Sequence, residues 1–348
     1  MKDYRHQLLT FNTVDPIEVG MEKDKLLEMD KIIPSLYKNL NGMIVVRFGK
    51  VVFEKYYNGY GAEDTFHVAS VTKSFISALI GIAMDKGFIK SLDQKVLEFF
   101  PEYICHPSEI QKKAITLRHL LTMRAPYIFK TLQEPLEKLT RQKDWIKFSL
   151  DMLGKNGNIG AFKYSNCGVN ILSAILTRTT GKSAREFANE CLFKPIGIKE
   201  IEDNPNQTFD YEGIFGNQLK GWAKDPSGNS TGGWGLTLTT RDMARFGSLY
   251  INDGFINNQQ VVSKDWIHQS IVGIPLEKEI PVVFNHYGHL WCIYKKDNLF
   301  AYMAMGDGGN MICCIPEKEI VVAISSKTMR KPRERWELIE NYILPSII

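Results

Sequence analysis

The sequence predicts an α+β fold in which one antiparallel sheet is built from strands at both ends of the chain. Five stretches are strand-like, at 43–48, 51–57, 299–305, 310–315 and 320–325. The first two are joined by the two-residue hairpin turn Gly49-Lys50, and the last three show a period of two. Between the first two and the last three, the apolar spacing is mostly helical. One sheet of about five strands, flanked by helices and interrupted by a mostly helical insertion, is the economical arrangement.

Two lobes are expected, because 348 residues are many for one compact core. The first lobe is predicted to combine residues 1–88 with residues 240–348, so that the sheet draws on both ends of the chain. The second, mostly helical lobe is predicted to span residues 89–239. An active site is expected in the cleft between them.

Composition excludes several classes of function. The 43 basic and 39 acidic residues nearly balance, and no basic run is interleaved with aromatic residues, which argues against nucleic acid as a partner. The longest apolar stretch, 75–84, is too short to span a membrane. The first seven residues lack the apolar core of a signal peptide, so a cytoplasmic location is expected. The spacing of histidine and cysteine indicates no metal and no cofactor.

Residues 66–84 are predicted to form a helix that is apolar almost all round, and such a helix is normally buried. Its small and polar residues nevertheless share one face: Ser70, Lys73, Ser74, Ser77 and Gly81. A buried lysine is costly unless something holds or uses its charge. Either Lys73 reaches solvent from a helix end, or this face lines a cleft with a hydroxyl and an amine one turn apart.

Ser70-x-x-Lys73 has the SxxK spacing of acyl-transfer enzymes. The spacing alone is weak, because Ser35-Leu36-Tyr37-Lys38 has it too, in a helix that looks solvated. Ser70 differs because it begins an apolar helix, where the helix dipole and free N–H groups favour developing negative charge. Partial burial would lower the pKa of Lys73 towards the range of a useful base.

Two further segments carry candidate chemistry. Tyr164-Ser165-Asn166 precedes a helix predicted over 166–179, and its tyrosine either packs in a loop or belongs to a site. The turn Gly306-Asp307-Gly308-Gly309 joins two strands, and it forms either a flexible hairpin or a backbone that closely approaches a substrate. Thr180-Gly181-Lys182-Ser183 resembles the end of a phosphate-binding loop, but Leu176 replaces the first glycine, so nucleotide binding is rejected.

Together, Ser70-Val71-Thr72-Lys73, Tyr164-Ser165-Asn166 and the Gly306 turn resemble, in order and spacing, the three motifs of the serine β-lactamase and penicillin-binding-protein superfamily. The likeness covers most of the chain and is greatest to the class C β-lactamase-related esterases and amidases. This resemblance implies a β-lactamase/transpeptidase-like fold. It also implies an enzyme, a serine hydrolase that works through an acyl-enzyme without a cofactor.

The resemblance also implies roles for the motif residues. Ser70 would be the nucleophile. Lys73 and Tyr164 would form the general base, and Tyr164 would later protonate the leaving group. Asn166 would bind substrate or hold Lys73 in place.

The same resemblance assigns the oxyanion hole to the N–H groups of Ser70 and Asp307, with Gly306 and Gly308 as further substrate-binding residues of the turn. Ala304 stands where β-lactamases and DD-peptidases carry the lysine or histidine that helps hold a substrate carboxylate. Asp307 adds a negative charge near that place. Both departures favour a neutral or cationic ester or amide over penicillins.

A third departure is Ala125-Pro126 after Thr122-Met123, where the family usually has Thr-Ser-Gly, in a loop expected to border the cleft. Three functions remain open on the sequence. The first is a hydrolase of small esters or amides, and the second is a true class C-type β-lactamase or DD-peptidase acting on β-lactams or peptides. The third is a non-catalytic binding or regulatory protein that retains the fold. The sequence carries no signal for the oligomeric state.

Overall fold

A computed structural model describes residues 7–130, 133–204, 208–277, 283–329 and 331–348. Residues 1–6, on which the argument against a signal peptide mainly rests, lie outside this described part. Its strands, β1 to β12, are Leu40–Arg47, Lys50–Tyr56, Phe66–His67, Thr237–Leu238, Phe255–Ile256, Gln259–Gln260, Ile274–Pro275, His286–Tyr287, Cys292–Lys296, Leu299–Gly306, Asn310–Ile315 and Ile320–Ser326. Its α-helices, α1 to α11, are Lys23–Leu36, Thr72–Asp85, Leu117–Leu121, Leu136–Thr140, Trp145–Met152, Asn166–Thr180, Ala184–Ala188, Tyr211–Phe215, Thr240–Ile251, Lys264–Ser270 and Trp336–Leu338.

The main sheet is antiparallel and has the order β2-β1-β12-β11-β10-β9-β8-β7. The α+β class is therefore confirmed, and each of the five predicted strands is present. The number five is wrong, because β7, β8 and β9 add three strands at one edge. The first two of these have only two residues each, too few to show an alternating pattern. The third ends in the exposed pair Lys295 and Lys296.

The centre of the sheet joins the two ends of the chain. Residues 43–47 of β1 pair with residues 320–324 of β12 in a regular antiparallel register. Every residue of both strands is buried, so the alternation of polar and apolar residues is weak there. Strands covered on both faces read as continuous apolar runs.

Helix α2 lies deep in the molecule, and its residues 72–83 are all buried. Helix α9 contacts β1, β11 and β12, while α2 packs against α6 and α10. Gly81 of α2 lies directly against the indole of Trp266 in α10, since a Cβ at residue 81 would come within 2.4 Å of that ring. Helices α3 to α8 lie between residues 117 and 215.

The division into lobes at residues 88/89 and 239/240 stays a prediction. In the described part of the chain, no helix combines the length and apolar character that crossing a membrane requires.

Candidate active site

The candidate nucleophile occupies a strained turn. Ser70 lies in a short 3-10 helix, Ala69–Val71, directly before α2. Ala69 has a φ of 49°, a left-handed conformation that is uncommon for residues other than glycine and is often found at functional sites. The Thr72 hydroxyl donates to the Ala69 carbonyl oxygen at 2.7 Å and supports the turn. Ser70 is partly exposed while residues 71–83 are buried, so its hydroxyl is the accessible group of this segment.

Lys73 is buried and fully engaged. Its side chain is 1% exposed, and Nζ donates to Ser70 Oγ at 2.9 Å, to Asn166 Oδ1 at 2.7 Å and to the Gly233 carbonyl oxygen at 2.5 Å. The alternative in which Lys73 reaches solvent is therefore wrong. Burial lowers the pKa of Lys73 to about 7, against a smaller opposing effect of the negative charges of Glu134 and Asp307.

Tyr164 lies beside the same amine, with Lys73 Nζ 4.8 Å from the centre of its ring. Its loop is held on both sides by Met123: Lys163 N donates to the Met123 carbonyl oxygen at 2.6 Å, and Ser165 N lies 3.3 Å from the Met123 sulfur. Burial raises the pKa of Tyr164 well above its ordinary value, and interaction with Ser70 opposes this only in part. Tyr164 is therefore a neutral phenol near pH 7.

Asn166 connects the lysine to a residue that the sequence analysis missed. It is the first residue of α6, and Ser165 caps this helix by accepting from Gly168 N at 3.1 Å. Asn166 Oδ1 faces Lys73, and Asn166 Nδ2 donates to Glu134 Oε2 at 2.7 Å. Glu134 belongs to no motif and precedes Asn166 by 32 residues, so nothing local in the sequence indicates the contact.

The Gly306 turn reaches the nucleophile through a close backbone approach. Gly306 ends β10, and a Cβ at this residue would lie 2.3 Å from the Val68 carbonyl oxygen and 3.1 Å from Ser70 N. Only glycine leaves room for this contact. Asp307 is exposed in the turn, and its negative charge acts on Lys73. The structure therefore places the backbone of Gly306, the residue directly before Asp307, against Ser70 N.

The turn is anchored from behind by residues that no motif predicts. Asn310 Nδ2 donates to the Asp307 carbonyl oxygen at 2.8 Å. The Gly308 carbonyl oxygen accepts from Asn39 Nδ2 at 2.7 Å and from Arg335 Nη2 at 3.1 Å. Arg335 is itself buried, and burial lowers its pKa to about 10. These bonds fix the conformation of the turn from outside it.

The remaining sequence departures have definite places. Ala304 is buried in β10, opposite Ile312 of β11. Ala125 and Pro126 are buried in the loop after α3, and the Pro126 carbonyl oxygen accepts from Gly154 N at 2.8 Å. A cavity of about 480 Å³ lies beside the turn, and Asp307 is among the residues that line it.

Comparison with known proteins identifies the family of this chain. The family model described as beta-lactamase matches residues 30–342. The chain belongs to the beta-lactamase family. This membership confirms the resemblance inferred from the motifs and the β-lactamase/transpeptidase-like fold.

Relatives within the family differ in what their names state. The 6-aminohexanoate-dimer hydrolase of Paenarthrobacter ureafaciens is 24% identical over 246 residues, which are 67% of this chain and 57% of that protein. The chain thus spans less than two thirds of that relative. An octameric penicillin-binding protein homologue from Pyrococcus abyssi shares the fold with a TM-score of 0.67 and 22% identity, over 92% of this chain and 77% of that one. A family VIII carboxylesterase does so with a TM-score of 0.65 and 15% identity, over 93% and 98%.

Proposed function

We propose that the protein is a serine hydrolase that acts on a small ester or amide through an acyl-enzyme at Ser70. The observation that carries this proposal is the 2.9 Å contact between Lys73 Nζ and Ser70 Oγ. Because burial lowers the pKa of Lys73 to about 7, a large share of the amine is neutral at pH 7. A neutral amine beside a hydroxyl is the arrangement that activates a serine nucleophile.

Acylation then proceeds in balanced steps. Ser70 Oγ attacks the acyl carbon while its proton passes to Lys73. The bond from the acyl carbon to the leaving oxygen or nitrogen breaks, and the leaving group takes a proton from Tyr164, which regains one from Lys73. Water attacks the resulting ester at Ser70 in the second half-reaction, with Lys73 and Tyr164 accepting its proton and returning one to Ser70 Oγ.

The oxyanion of each tetrahedral intermediate is assigned to the N–H groups of Ser70 and Asp307. The close approach of Gly306 to Ser70 N supports this assignment. Ser70 N also lies at the start of α2, where the helix dipole favours negative charge. An oxyanion donor of this kind is typically worth about 3 kcal/mol of transition-state stabilisation.

The substrate is assigned to the neutral or cationic esters and amides. Ala304 offers no positive charge to a substrate carboxylate, and Asp307 places a negative charge on the exposed side of the turn. The names of two relatives, a carboxylesterase and a 6-aminohexanoate-dimer hydrolase, agree with an ester or amide as the bond that is broken.

The test uses intact mass spectrometry and turnover together. The protein is incubated with a fluorophosphonate, and the adduct is mapped, while hydrolysis of p-nitrophenyl esters, anilides and nitrocefin is measured in parallel. An adduct at Ser70 and turnover of esters or anilides are expected. Turnover of nitrocefin in preference to esters would instead show a β-lactamase. No adduct and no turnover, with ligand binding retained in Ser70→Ala, would show a non-catalytic protein.

A further inference from the structure

We propose that Glu134 is a positioning residue for the candidate base, because it fixes the Asn166 amide with its oxygen towards Lys73. The proposal rests on the function proposed for Ser70 and Lys73, and it assigns a role to a residue outside the three motifs. The Glu134 carboxylate lies at the beginning of α6 and is connected to Lys73 through the side chain of Asn166.

Glu134 accepts four hydrogen bonds from described residues. Its Oε2 accepts from Asn166 N and from Asn166 Nδ2, each at 2.7 Å. Its Oε1 accepts from Cys167 N at 2.7 Å and from Ser165 Oγ at 3.2 Å. A carboxylate at this end of a helix satisfies N–H groups that have no partner within the helix. Glu134 therefore binds both the backbone and the side chain of the residue that contacts Lys73.

The amide of Asn166 can take only one orientation between these two neighbours. A carboxylate only accepts hydrogen bonds and an ammonium only donates them. Nδ2 must therefore face Glu134, and Oδ1 must face Lys73, as the 2.7 Å contacts show. Without Glu134, the amide would be free to turn its N–H group towards Lys73, which would remove one of the three acceptors that hold the amine beside Ser70.

The negative charge of Glu134 and the orientation of the Asn166 amide both stabilise the protonated form of Lys73. The groups that face Lys73 are Glu134 from the segment before α4, Asp307 from the turn after β10, Cys292 from β9 and Tyr164 from the loop before α6. Burial lowers the pKa of Lys73, whereas the negative charge of Glu134 raises it. A negative charge favours the ammonium form, so its removal favours the neutral amine. Loss of Glu134 is therefore expected to lower the pKa of Lys73 further.

The first measurement does not depend on turnover. Protein labelled with ¹³C at the lysine Cε is titrated by NMR, and the Lys73 signal is assigned by its loss in Lys73→Arg. Glu134→Gln is expected to move the Lys73 midpoint to lower pH by about half a unit or more, which is a modest effect for one charge at close range. A midpoint at the parental value would overturn the proposal.

The second measurement is the pH profile of Ser70 acylation by a fluorophosphonate. In Glu134→Gln the rise on the acid side should move with the NMR midpoint, and the plateau rate should fall about 10- to 100-fold, as is typical for losing a hydrogen bond to a charged group. If the parent protein is not acylated while the midpoint still moves, the proposed hydrolase function fails and the positioning of Lys73 stands. The two failures are thus distinct.

A matched control separates positioning from helix stability. Asp144 caps α5 by accepting from Lys147 N at 2.8 Å, and within the described part of the chain no hydrogen bond joins it to Ser70, Lys73 or Asn166. Asp144→Ala removes this cap and should leave the midpoint and the acid side of the profile at the parental pH. The same shift in both variants would show a general loss of stability and overturn the proposal.

Two further variants complete the test. In an Asn166→Ala background, Glu134→Gln should cost less than about twofold in rate, because neighbours that act through one contact are not additive. If Glu134→Gln lowers the rate as much in that background as in the parent, Glu134 does not act through Asn166 and the proposal is overturned. If Glu134→Gln does not fold, Glu134→Asp shortens the carboxylate by one methylene. Slower acylation is then expected, and parental rate and midpoint would contradict the proposal.

Discussion

The chain contains the SxxK spacing twice, and the two copies lie in different structural environments. Ser35 lies in the last turn of α1, and Lys38 lies two residues beyond the end of this helix. Both are exposed, and Ser35 Oγ donates to the Ile32 carbonyl oxygen of its own helix at 3.0 Å. Ser70 and Lys73 lie at the start of α2, where Lys73 is buried and donates to Ser70 Oγ. Spacing sets which side chains can meet, whereas burial decides whether a lysine can act as a base.

The largest expected difference concerns the two serines. Ser70→Ala should lower ester turnover roughly 10⁴- to 10⁶-fold, as is usual when a nucleophile that acts with its base is removed. Ser35→Ala should leave turnover unchanged, because the Ser35 hydroxyl is exposed and bonds its own helix. Turnover is measured as kcat/KM for both purified variants. Equal turnover in Ser70→Ala and in the parent would remove Ser70 from the mechanism.

The two lysines should differ next. Lys73→Ala is expected to reduce the rate of acylation roughly 10²- to 10⁴-fold, the usual contribution of a general base. Lys38→Ala removes an exposed side chain and should have no measurable effect. Stopped-flow acylation gives both values. A Lys73→Ala variant that acylates at the rate of Lys38→Ala would show that another group accepts the proton.

The pH dependence should report the buried lysine. The neutral amine is the active form, and its pKa is lowered to about 7, so the rate is low where Lys73 is protonated and rises as the pH increases through 7. Between pH 6 and pH 8 a single group with this pKa gives about a tenfold increase. The profile of Lys38→Ala should match the parent. A rate that stays flat between pH 5 and pH 9 would contradict the assignment of Lys73 as the base.

The smallest expected effect concerns Asp307, whose exposed carboxylate lies in the turn beside Ser70. Asp307→Asn should reduce the preference for cationic over neutral esters by about two- to fivefold, because an exposed charge contributes little in water. The ratio of kcat/KM for a matched pair of esters measures this, and the effect should weaken at high salt. An unchanged ratio would place the substrate's charge elsewhere.

Much of the fold could be predicted because its long elements carry local patterns. The strands over 299–306 and 320–326 and the helix over 166–180 match their predicted positions closely. The sequence does not predict β7 at the edge of the sheet or β8 beside it, because two residues paired across a sheet leave no periodicity. Whether the active site lies between two lobes with the predicted boundaries is a separate matter that stays a prediction.

The candidate site likewise contains residues that the sequence predicts and residues that it does not. Ser70, Lys73 and Tyr164 stand in short motifs, so their types and spacing pointed to them. Glu134 and Met123, which hold the Tyr164–Asn166 segment in place, have no such signal. Their contacts join residues about 30 to 40 positions apart, and only the folded chain shows such pairs.

The pairing of β1 with β12 also governs when the site can form. About 280 residues of chain separate these partners, and contacts this distant in sequence form slowly because a long loop must close first. During synthesis, β1 emerges from the ribosome well before β12, so the edge of β1 that pairs with β12 stays unpaired until β12 has been made. The Gly306 turn, which lies between these two strands in the chain, reaches Ser70 only in the closed sheet. Reactivity towards a fluorophosphonate is thus expected to be the last property that a newly made chain acquires.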